Sequence, residues 1–449
     1  MRNILLAILL SVAVAGATAQ TFSGGGNGTA SSPYILKTEA DLQALCTMTD
    51  HGQTQGRYYQ LANDITDPFT GLIGEEYAFM GHFDGGGHCI AVNIQRPDEA
   101  FVGLFPTTYG TIKNLQIEGE VVGAYYVGGI VGNPTNGTLI ENCVNYARVE
   151  ATRGGYVGGV AGYIVSLKSG TNSTDSVTVT NCANYGEIIG STVVGGVIGY
   201  SGQQRGNVLT RLVNYGLITA GSERTAGVVG NPLYYDRVYG IANFGPISSE
   251  FISGALGSAN AERQGEIYYD KQYAFTTYEY PSQARLTSEL TGDGLRNADS
   301  GSQFNEAYWL YEEDMLPRLK MGGQEYSDRA ILYATPMILA AGNTLNDVDE
   351  PFRVVVKNGV TWKSTYGKVS IDEAGNVNLL QTGYDILVAS KGTYERQLGI
   401  QITGGVTGIE PATLEEEGEA PYYTLEGVRL VRPTHAGLYI HNGKKIIIR

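Results

Sequence analysis

The sequence is short of positive charge and of proline, and both shortages exclude classes of protein. Its 30 Lys and Arg residues are outnumbered by 45 Asp and Glu residues, which gives a net charge of −15. Nucleic-acid binding needs clustered basic side chains, so we expect no nucleic-acid partner. Proline amounts to 14 residues and the 62 glycines follow no triplet period, which excludes a collagen helix.

Cysteine is also scarce, at four residues, and their spacing does not match a zinc site. Cys143 and Cys182 hold the same place in consecutive repeats, so we expect them to stack one coil apart, within reach of a disulfide. Stacked side chains point in the same direction, which favours two buried free thiols, and the disulfide stays open as the alternative. We predict no metal and no cofactor.

Long apolar runs are confined to the N-terminus. Arg2, the apolar stretch from Ile4 to Ala15 and the small residues before Gln20 match a secretory signal peptide over residues 1–19, cleaved between Ala19 and Gln20. No later segment has the length of a transmembrane helix. We therefore expect an exported protein, secreted or held at the outer cell surface.

In contrast to these shortages, one phrase recurs four times between Gly128 and Ile247, in two halves. The first half is a glycine pair or Ala-Gly, two apolar residues and a further Gly, and it begins at Gly128, Gly158, Gly195 and Ala226. The second half ends in Asn and an aromatic residue, at Asn145-Tyr146, Asn184-Tyr185, Asn214-Tyr215 and Asn243-Phe244. A period of about thirty residues, built from short Val- and Ile-rich runs, predicts stacked coils of β-strand. The fold class is all-β, with a right-handed parallel β-helix.

Stacked coils place equivalent side chains in columns. We predict one structural ladder of Asn145, Asn184, Asn214 and Asn243, at a left-handed turn that Asn tolerates. A second column should stack beside it, formed by Tyr146, Tyr185, Tyr215 and Phe244.

The rest of the chain divides into shorter parts. Residues 20–100 are a lead-in and cap, with a helix that begins after the N-cap Thr38, and residues 101–327 hold the repeats and a closing segment expected to cover the far end. Alternating strands over 328–405 predict an Ig-like β-sandwich with one buried Trp, residue 362. An acidic linker spans 406–421, and a small C-terminal β domain spans 422–449.

Catalytic side chains are rare in the repeats. Glycoside cleavage needs two carboxylates close together, but residues 101–250 contain no His and only two Asp, and their Glu residues fall at different phases. Asp84 and His88 form a local acid–imidazole pair that we interpret as a glycine-rich turn whose Asp bonds its own backbone. The sequence favours a protein without enzymatic activity, and a lyase or glycosidase on the same scaffold remains the alternative.

Aromatic residues outside the core are better candidates for binding. Tyrosine combines an apolar ring with a polar hydroxyl and so suits sugars and protein surfaces. The candidates flank the glycine pairs, and they are Tyr125, Tyr126, Tyr156, Tyr234 and Tyr235.

The repeats resemble the GLUG-type repeats of bacterial cell-surface proteins. The lead-in is similar to the segment that precedes such repeats, through Gly26-Asn27-Gly28-Thr29 and Phe83-Asp84-Gly85-Gly86-Gly87-His88. The chain departs from that pattern where Pro106 stands in place of Gly.

Two further segments resemble bacterial modules. The sandwich resembles bacterial Ig-like modules of the second group, through Val360-Thr361-Trp362 and Val369-Ser370-Ile371-Asp372. The tail resembles the C-terminal sorting domains of exported Bacteroidetes proteins, through Tyr423-Thr424-Leu425-Glu426-Gly427 and Gly437-Leu438-Tyr439-Ile440. These resemblances imply an export and anchoring machinery as one partner and a surface ligand, glycan or protein, as another. The resulting hypothesis is a cell-surface adhesin or binding protein, with a structural surface component as a further alternative.

Overall fold

The computed structural model describes most of the chain after the predicted signal peptide. The described residues are 22–165, 176–202, 206–221, 224–234, 236–258, 263–274, 276, 282–298, 303–320, 327–406, 422–423, 429–430, 437–441 and 444–448. The predicted signal peptide, the Ala19–Gln20 cleavage site, Tyr235 and nearly all of the 406–421 linker lie outside them. The chain forms two compact units, Met1–Ala334 and Thr335–Arg449.

The first unit is built from short strands and few helices. Its first half contains β1 (Tyr34–Leu36), α1 (Glu39–Asp50), β2 (Tyr58–Leu61), β3 (Ile65–Phe69), β4 (His82–Asp84), β5 (Cys89–Val102), β6 (Phe105–Thr108), β7 (Thr111–Lys113), β8 (Gln116–Gly128), β9 (Val131–Pro134), β10 (Leu139–Glu141), β11 (Val144–Asn145), β12 (Arg148–Ala151), β13 (Tyr156–Gly158) and β14 (Ala161–Val165). Its second half contains β15 (Thr178–Asn184), β16 (Ile188–Gly190), β17 (Val193–Gly195), β18 (Ile198–Gly202), β19 (Val208–Asn214), β20 (Ile218–Ala220), β21 (Arg224–Ala226), β22 (Val229–Pro232), β23 (Arg237–Asn243), β24 (Ile247–Ser248), β25 (Ile252–Ser253), β26 (Arg263–Asp270), β27 (Gln283–Arg285), α2 (Thr287–Leu290), α3 (Gly294–Ala298), β28 (Trp309–Leu310), β29 (Arg318–Leu319) and α4 (Asp328–Ala334).

These strands confirm the predicted all-β fold, with a β-solenoid of about seven turns. The solenoid strands pair in parallel with strands one coil away, as in the run Ile112, Ile140, Val179, Leu209 and Val238, whereas β28 and β29 pair antiparallel with each other. All five side chains are fully buried and belong to one continuous apolar core. Burying one such side chain stabilises the fold by roughly 1.5–3 kcal/mol. The repeated Val and Ile positions therefore supply the hydrophobic free energy that favours stacking of the coils.

The solenoid begins earlier than the repeats. Strands β1, β2 and β4 of the lead-in already form one parallel ladder that continues into β7. The predicted helix is confirmed as α1, because the Thr38 Oγ1 accepts from the backbone N–H of Asp41 at 3.2 Å and the Asp41 carboxylate accepts in return from the N–H of Thr38. Buried Leu42 and Leu45 fix the helix against the core.

The asparagine column runs through the buried inside of the solenoid. The side-chain amides of Asn145, Asn184 and Asn214 each donate to the Oδ1 of the next residue in the column, Asn243 being the last, at 2.7, 2.7 and 2.8 Å. Their backbone is not left-handed, contrary to our expectation. The left-handed position lies three residues earlier, where Asn142 and Asn181 have φ of 52° and 55°. The ladder residues instead sit in strands and satisfy buried backbone groups two residues on.

The aromatic column stacks beside the amides and is covered by the closing segment. Ring centroids of Tyr146 and Tyr185 lie 5.1 Å apart, and those of Tyr185 and Tyr215 4.6 Å apart. The Tyr215 hydroxyl donates to the carbonyl of Pro317, and Tyr333 meets Tyr185 edge-on. We expected the closing segment to cover the far end of the solenoid, but its Pro317 and the Tyr333 of α4 pack along the side, where they cover aromatic rings that lie outside the solenoid core.

The second unit is antiparallel. It contains β30 (Met337–Ile338), β31 (Phe352–Val354), β32 (Thr361–Ser364), β33 (Val369–Ile371), β34 (Asn376–Leu379), β35 (Gly383–Lys391), β36 (Tyr394–Ile402), β37 (Tyr422–Tyr423), β38 (Arg429–Leu430), β39 (Gly437–His441) and β40 (Lys444–Ile448). The strand orders are β30-β31-β34-β33, β32-β35-β36 and β38-β37-β39-β40. Trp362 is half-buried rather than buried, and its Nε1 donates to the carbonyl of Val355 at 3.0 Å.

Candidate functional site

The glycine phrase forms a narrow corner of the solenoid. In one coil, β13 ends at Gly158 and β14 begins at Ala161. A Cβ added to Gly162 would lie 2.7 Å from the backbone of Val127 in the neighbouring coil, and one added to Gly199 would lie 2.6 Å from the backbone nitrogen of Val157. Only glycine allows this approach, so the phrase brings the two strand rows on either side of the corner close together.

Aromatic side chains line the outside of this corner, and we call them the aromatic strip: Phe101, Tyr126, Tyr156, Tyr163 and Tyr200. Ring centroids lie 4.8 Å apart between Phe101 and Tyr126, 4.8 Å between Tyr126 and Tyr163, and 4.4 Å between Tyr156 and Tyr200. Tyr156 and Tyr163 stand 5.1 Å apart across the corner of a single coil. The strip is therefore continuous over four consecutive coils.

The rings stack on one another, so they present edges and hydroxyls to solvent. Within the described residues, the hydroxyls of Tyr126, Tyr163 and Tyr200 make no hydrogen bond to the protein. Partial burial, with the neighbouring tyrosines adding to it, raises the pKa of Tyr163 and Tyr200. These phenols stay protonated at neutral pH and can donate as well as accept hydrogen bonds.

Two members of the strip have an unusual backbone. Phe101 and Tyr126 both have φ of 57°, in the left-handed region that bulky residues avoid. The two residues lie in neighbouring coils at matching positions, since Val102 pairs with Val127. The same conformation repeated in two coils shows that the corner holds these rings outward against the local preference of the chain.

The structure brings together three of the five predicted binding tyrosines. Tyr126 and Tyr156 belong to the strip, and Tyr125 contacts Tyr126 at a centroid distance of 6.3 Å and is 38% exposed. Tyr234 is 66% exposed and follows strand β22, in which Asn231 takes the place equivalent to Tyr200. Tyr235 lies outside the described residues.

Three strip members were not identified from the sequence: Phe101, Tyr163 and Tyr200. Tyr163 and Tyr200 both follow the second Gly of the phrase by four residues, so their common spacing was a usable signal. Phe101 belongs to the degenerate first copy, where Pro106 replaces the glycine and hides the alignment.

The strip ends at Phe101 in a groove, which we call the acidic groove. Its volume is about 290 Å³, and it is lined chiefly by Glu75, Glu76, Tyr77, Glu99, Phe101 and Tyr109. Tyr77 is 60% exposed and Tyr109 39% exposed, so their rings are accessible from solvent. Phe101 is thus shared between the strip and the groove.

A buried carboxyl lies at the other end of the strip. Asp236 accepts from the backbone N–H groups of Leu233 at 2.9 Å and Asn207 at 3.2 Å. Burial raises its pKa from 3.8 to about 6, and its charge adds to the rise of the Tyr200 pKa. The Asn207 side chain in turn donates to Ser201, which adjoins Tyr200. Asp236 thus organises the loop behind Tyr200.

Other acidic residues take structural roles. Asp84 accepts from the N–H of Gly86 at 2.9 Å and from Asn114 at 2.8 Å, as the turn interpretation predicts, while His88 contacts Asp64 rather than Asp84. Arg148 forms ion pairs with Glu150 of its own strand and with Glu120 and Glu187 of the neighbouring coils. Among the described residues, no group of three or more His, Cys, Asp or Glu could hold a metal ion.

No family model matches the chain, and no solved structure matches it. The chain is similar to Halomucin of Haloquadratum walsbyi, at 34% identity over 168 residues, which cover 34% of this chain and 2% of Halomucin. It therefore spans only a small part of that protein's length. None of the described helices is both long and apolar enough to cross a membrane.

Proposed function

We propose that the chain is an exported cell-surface protein that binds a polysaccharide along the aromatic strip. The observation that carries this proposal is the repeated left-handed backbone of Phe101 and Tyr126 at partly exposed aromatic residues. Asn or Gly would take this conformation at lower cost, so stability alone does not account for the rings. Contiguous exposed aromatic surface is typical of an interaction site.

A polymer with a constant repeat fits the strip better than a folded partner. Coils of a parallel solenoid repeat at about 4.8 Å, so the strip from Phe101 to Tyr200 extends for about 15 Å along the axis. An extended glycan chain lying along the axis meets a new ring at each coil. The phenol hydroxyls can bond sugar hydroxyls, and the ring edges contact the sugar's apolar patches.

The negative charge of the chain narrows the class of glycan. A net charge of −15 repels polyanions such as uronic-acid or sulfated polysaccharides. Neutral or positively charged polysaccharides are therefore the expected ligands.

Surface location is supported by the N-terminal signal pattern, by the solenoid and by the similarity to Halomucin. The proposed sorting domain over 422–449 would attach the protein to the surface, and an Ig-like module is proposed over 328–405. Both assignments rest on the sequence resemblances.

The test is an array of polysaccharides and matrix proteins probed with the chain from Gln20 to Arg449. We expect binding to neutral or cationic polysaccharides. The bound polysaccharide should be recovered at full length. Binding to proteins alone would contradict the proposal, and so would binding to none of the probes. Recovery of a shortened polysaccharide would show that the chain cleaves its ligand as an enzyme.

A further inference from the structure

The acidic groove combines rings and carboxylates at the end of the aromatic strip. Glu75, Glu76 and Tyr77 form an exposed turn that lines the groove together with Glu99 and Phe101. Because Phe101 stacks on Tyr126 at 4.8 Å, a polymer lying on the strip reaches the groove without a gap. The acidic groove therefore continues the surface of the aromatic strip and adds carboxylates to its aromatic rings.

Most of the carboxylates in and around the groove have no ion-pair partner among the described residues. Glu99 pairs with Arg96 at 3.7 Å, whereas Glu75 and Glu76 make no ion pair within the described part of the chain. The backbone N–H of Glu76 donates to the carboxylate of Asp50 at 3.0 Å, which places a fourth acidic residue beside the same turn. Of these four carboxylates, Glu99 alone has an ion-pair partner within the residues that the structure describes.

We propose that the acidic groove binds the protonated amine of an amino-sugar unit in the polysaccharide ligand. An ammonium group is stabilised by unpaired carboxylates and by the faces of accessible rings, here Tyr77, Tyr109 and Phe101. The groove volume of about 290 Å³ lies at the lower end of small-molecule pockets, which suits one sugar unit. This inference rests on the proposed function and names its ligand class.

A lysine-rich protein could satisfy the same charges, but it would not explain the regular spacing of the strip. At least one aromatic ring in each of the four coils matches a polymer with one kind of unit. The amino-sugar polymer satisfies both the strip and the groove, and the lysine-rich protein is an outcome that the test distinguishes.

The experiment compares two probes of equal length, a β-1,4-linked glucosamine oligomer and its fully N-acetylated form, titrated into the chain from Gln20 to Arg449. We expect the amine-bearing oligomer to bind at least about tenfold more tightly at low salt, with the preference falling as salt rises. The triple variant Glu75→Gln, Glu76→Gln, Glu99→Gln should lose the preference. The matched control Glu373→Gln, at an exposed glutamate of the second unit, should retain it.

Four outcomes separate the claims. Equal affinity for both oligomers, abolished by Tyr156→Ser, would overturn the amine site and leave the strip as a glycan site. A preference that survives in the triple variant would also overturn the amine site. Failure of both oligomers to bind would overturn the inference as well. Binding of polylysine in preference to both oligomers would replace it with a protein ligand.

Discussion

The side-chain amide of Asn145 donates to the Oδ1 of Asn184 at 2.7 Å, although 39 residues separate them in the sequence. Each amide also donates to the backbone carbonyl two residues on in its own coil, at 2.9 Å in both cases. Both residues are fully buried. The ladder therefore supplies hydrogen-bond partners to polar groups that would otherwise be unsatisfied inside the solenoid. It also links each coil to the next by a side-chain hydrogen bond.

Replacing Asn184 by alanine should destabilise the first unit strongly. The change removes four buried hydrogen bonds, which join the Asn184 side chain to Asn145, to Asn214 and to the N–H and carbonyl of Gly186, at about 0.5–1.5 kcal/mol each. We expect a loss of at least about 3 kcal/mol in the free energy of unfolding, measured by denaturant titration. The control Asn93→Ala changes an exposed asparagine in the same unit and should cost less than about 1 kcal/mol. Equal costs would contradict the role of the ladder.

Tyr126 offers a test of the backbone conformation. In an ordinary strand, a protein with glycine at a position is less stable than one with alanine there. At a φ of 57° the glycine variant should be the more stable of the two. We expect Tyr126→Gly to be more stable than Tyr126→Ala by about 1 kcal/mol in denaturant unfolding. The matched pair Tyr384→Gly and Tyr384→Ala, in a regular strand of the second unit, should keep the ordinary order. The same order at both positions would refute the strained placement of the ring.

The buried carboxyl of Asp236 should make the first unit more stable in mild acid. Its pKa of about 6 in the folded state exceeds the unfolded value of 3.8, so its contribution is fully present below about pH 4 and is lost as the pH rises through about 6. A shift of about two units corresponds to about 3 kcal/mol. We expect the difference in unfolding free energy between the wild type and Asp236→Asn to change in favour of the wild type as the pH falls from 6.5 to 4. A pH-independent difference would show that Asp236 does not titrate in this range.

The cysteines should react slowly with thiol reagents in the native protein. All four are free, three are buried, and burial raises the pKa of Cys46 to about 12 and also raises that of Cys182. A thiol reacts as its thiolate, so both burial and the raised pKa suppress the reaction. Titration with a chromogenic disulfide should detect four thiols only after unfolding in denaturant. Two thiols in the unfolded, unreduced protein would instead indicate a disulfide between Cys143 and Cys182.

The coils and columns followed from the sequence because one period governs both. Residues at the same place in each repeat must stack once the strands pair in parallel, which is why Asn145 and Asn184 could be matched from spacing alone. The side cover over Tyr185 could not be derived, because contacts between the repeats and the segment around Tyr333 have no periodic signal.

The aromatic strip could be predicted only in part from the sequence, for a related reason. Tyr156 and Tyr163 belong to different strand rows, and their contact depends on how sharply the glycines fold the corner between them. The acidic groove was missed entirely, since Glu75 and Glu99 lie outside the repeats and meet only through the fold.

The most direct test of the central claim is the affinity of a polysaccharide ligand for the double variant Tyr156→Ser, Tyr200→Ser. The control is Tyr366→Ser, which removes a tyrosine that is 57% exposed in the second unit. We predict a loss of at least about tenfold in affinity for the double variant, equal to 1.4 kcal/mol, with the control unchanged. Unchanged affinity in a double variant that folds like the wild type would contradict binding along the strip.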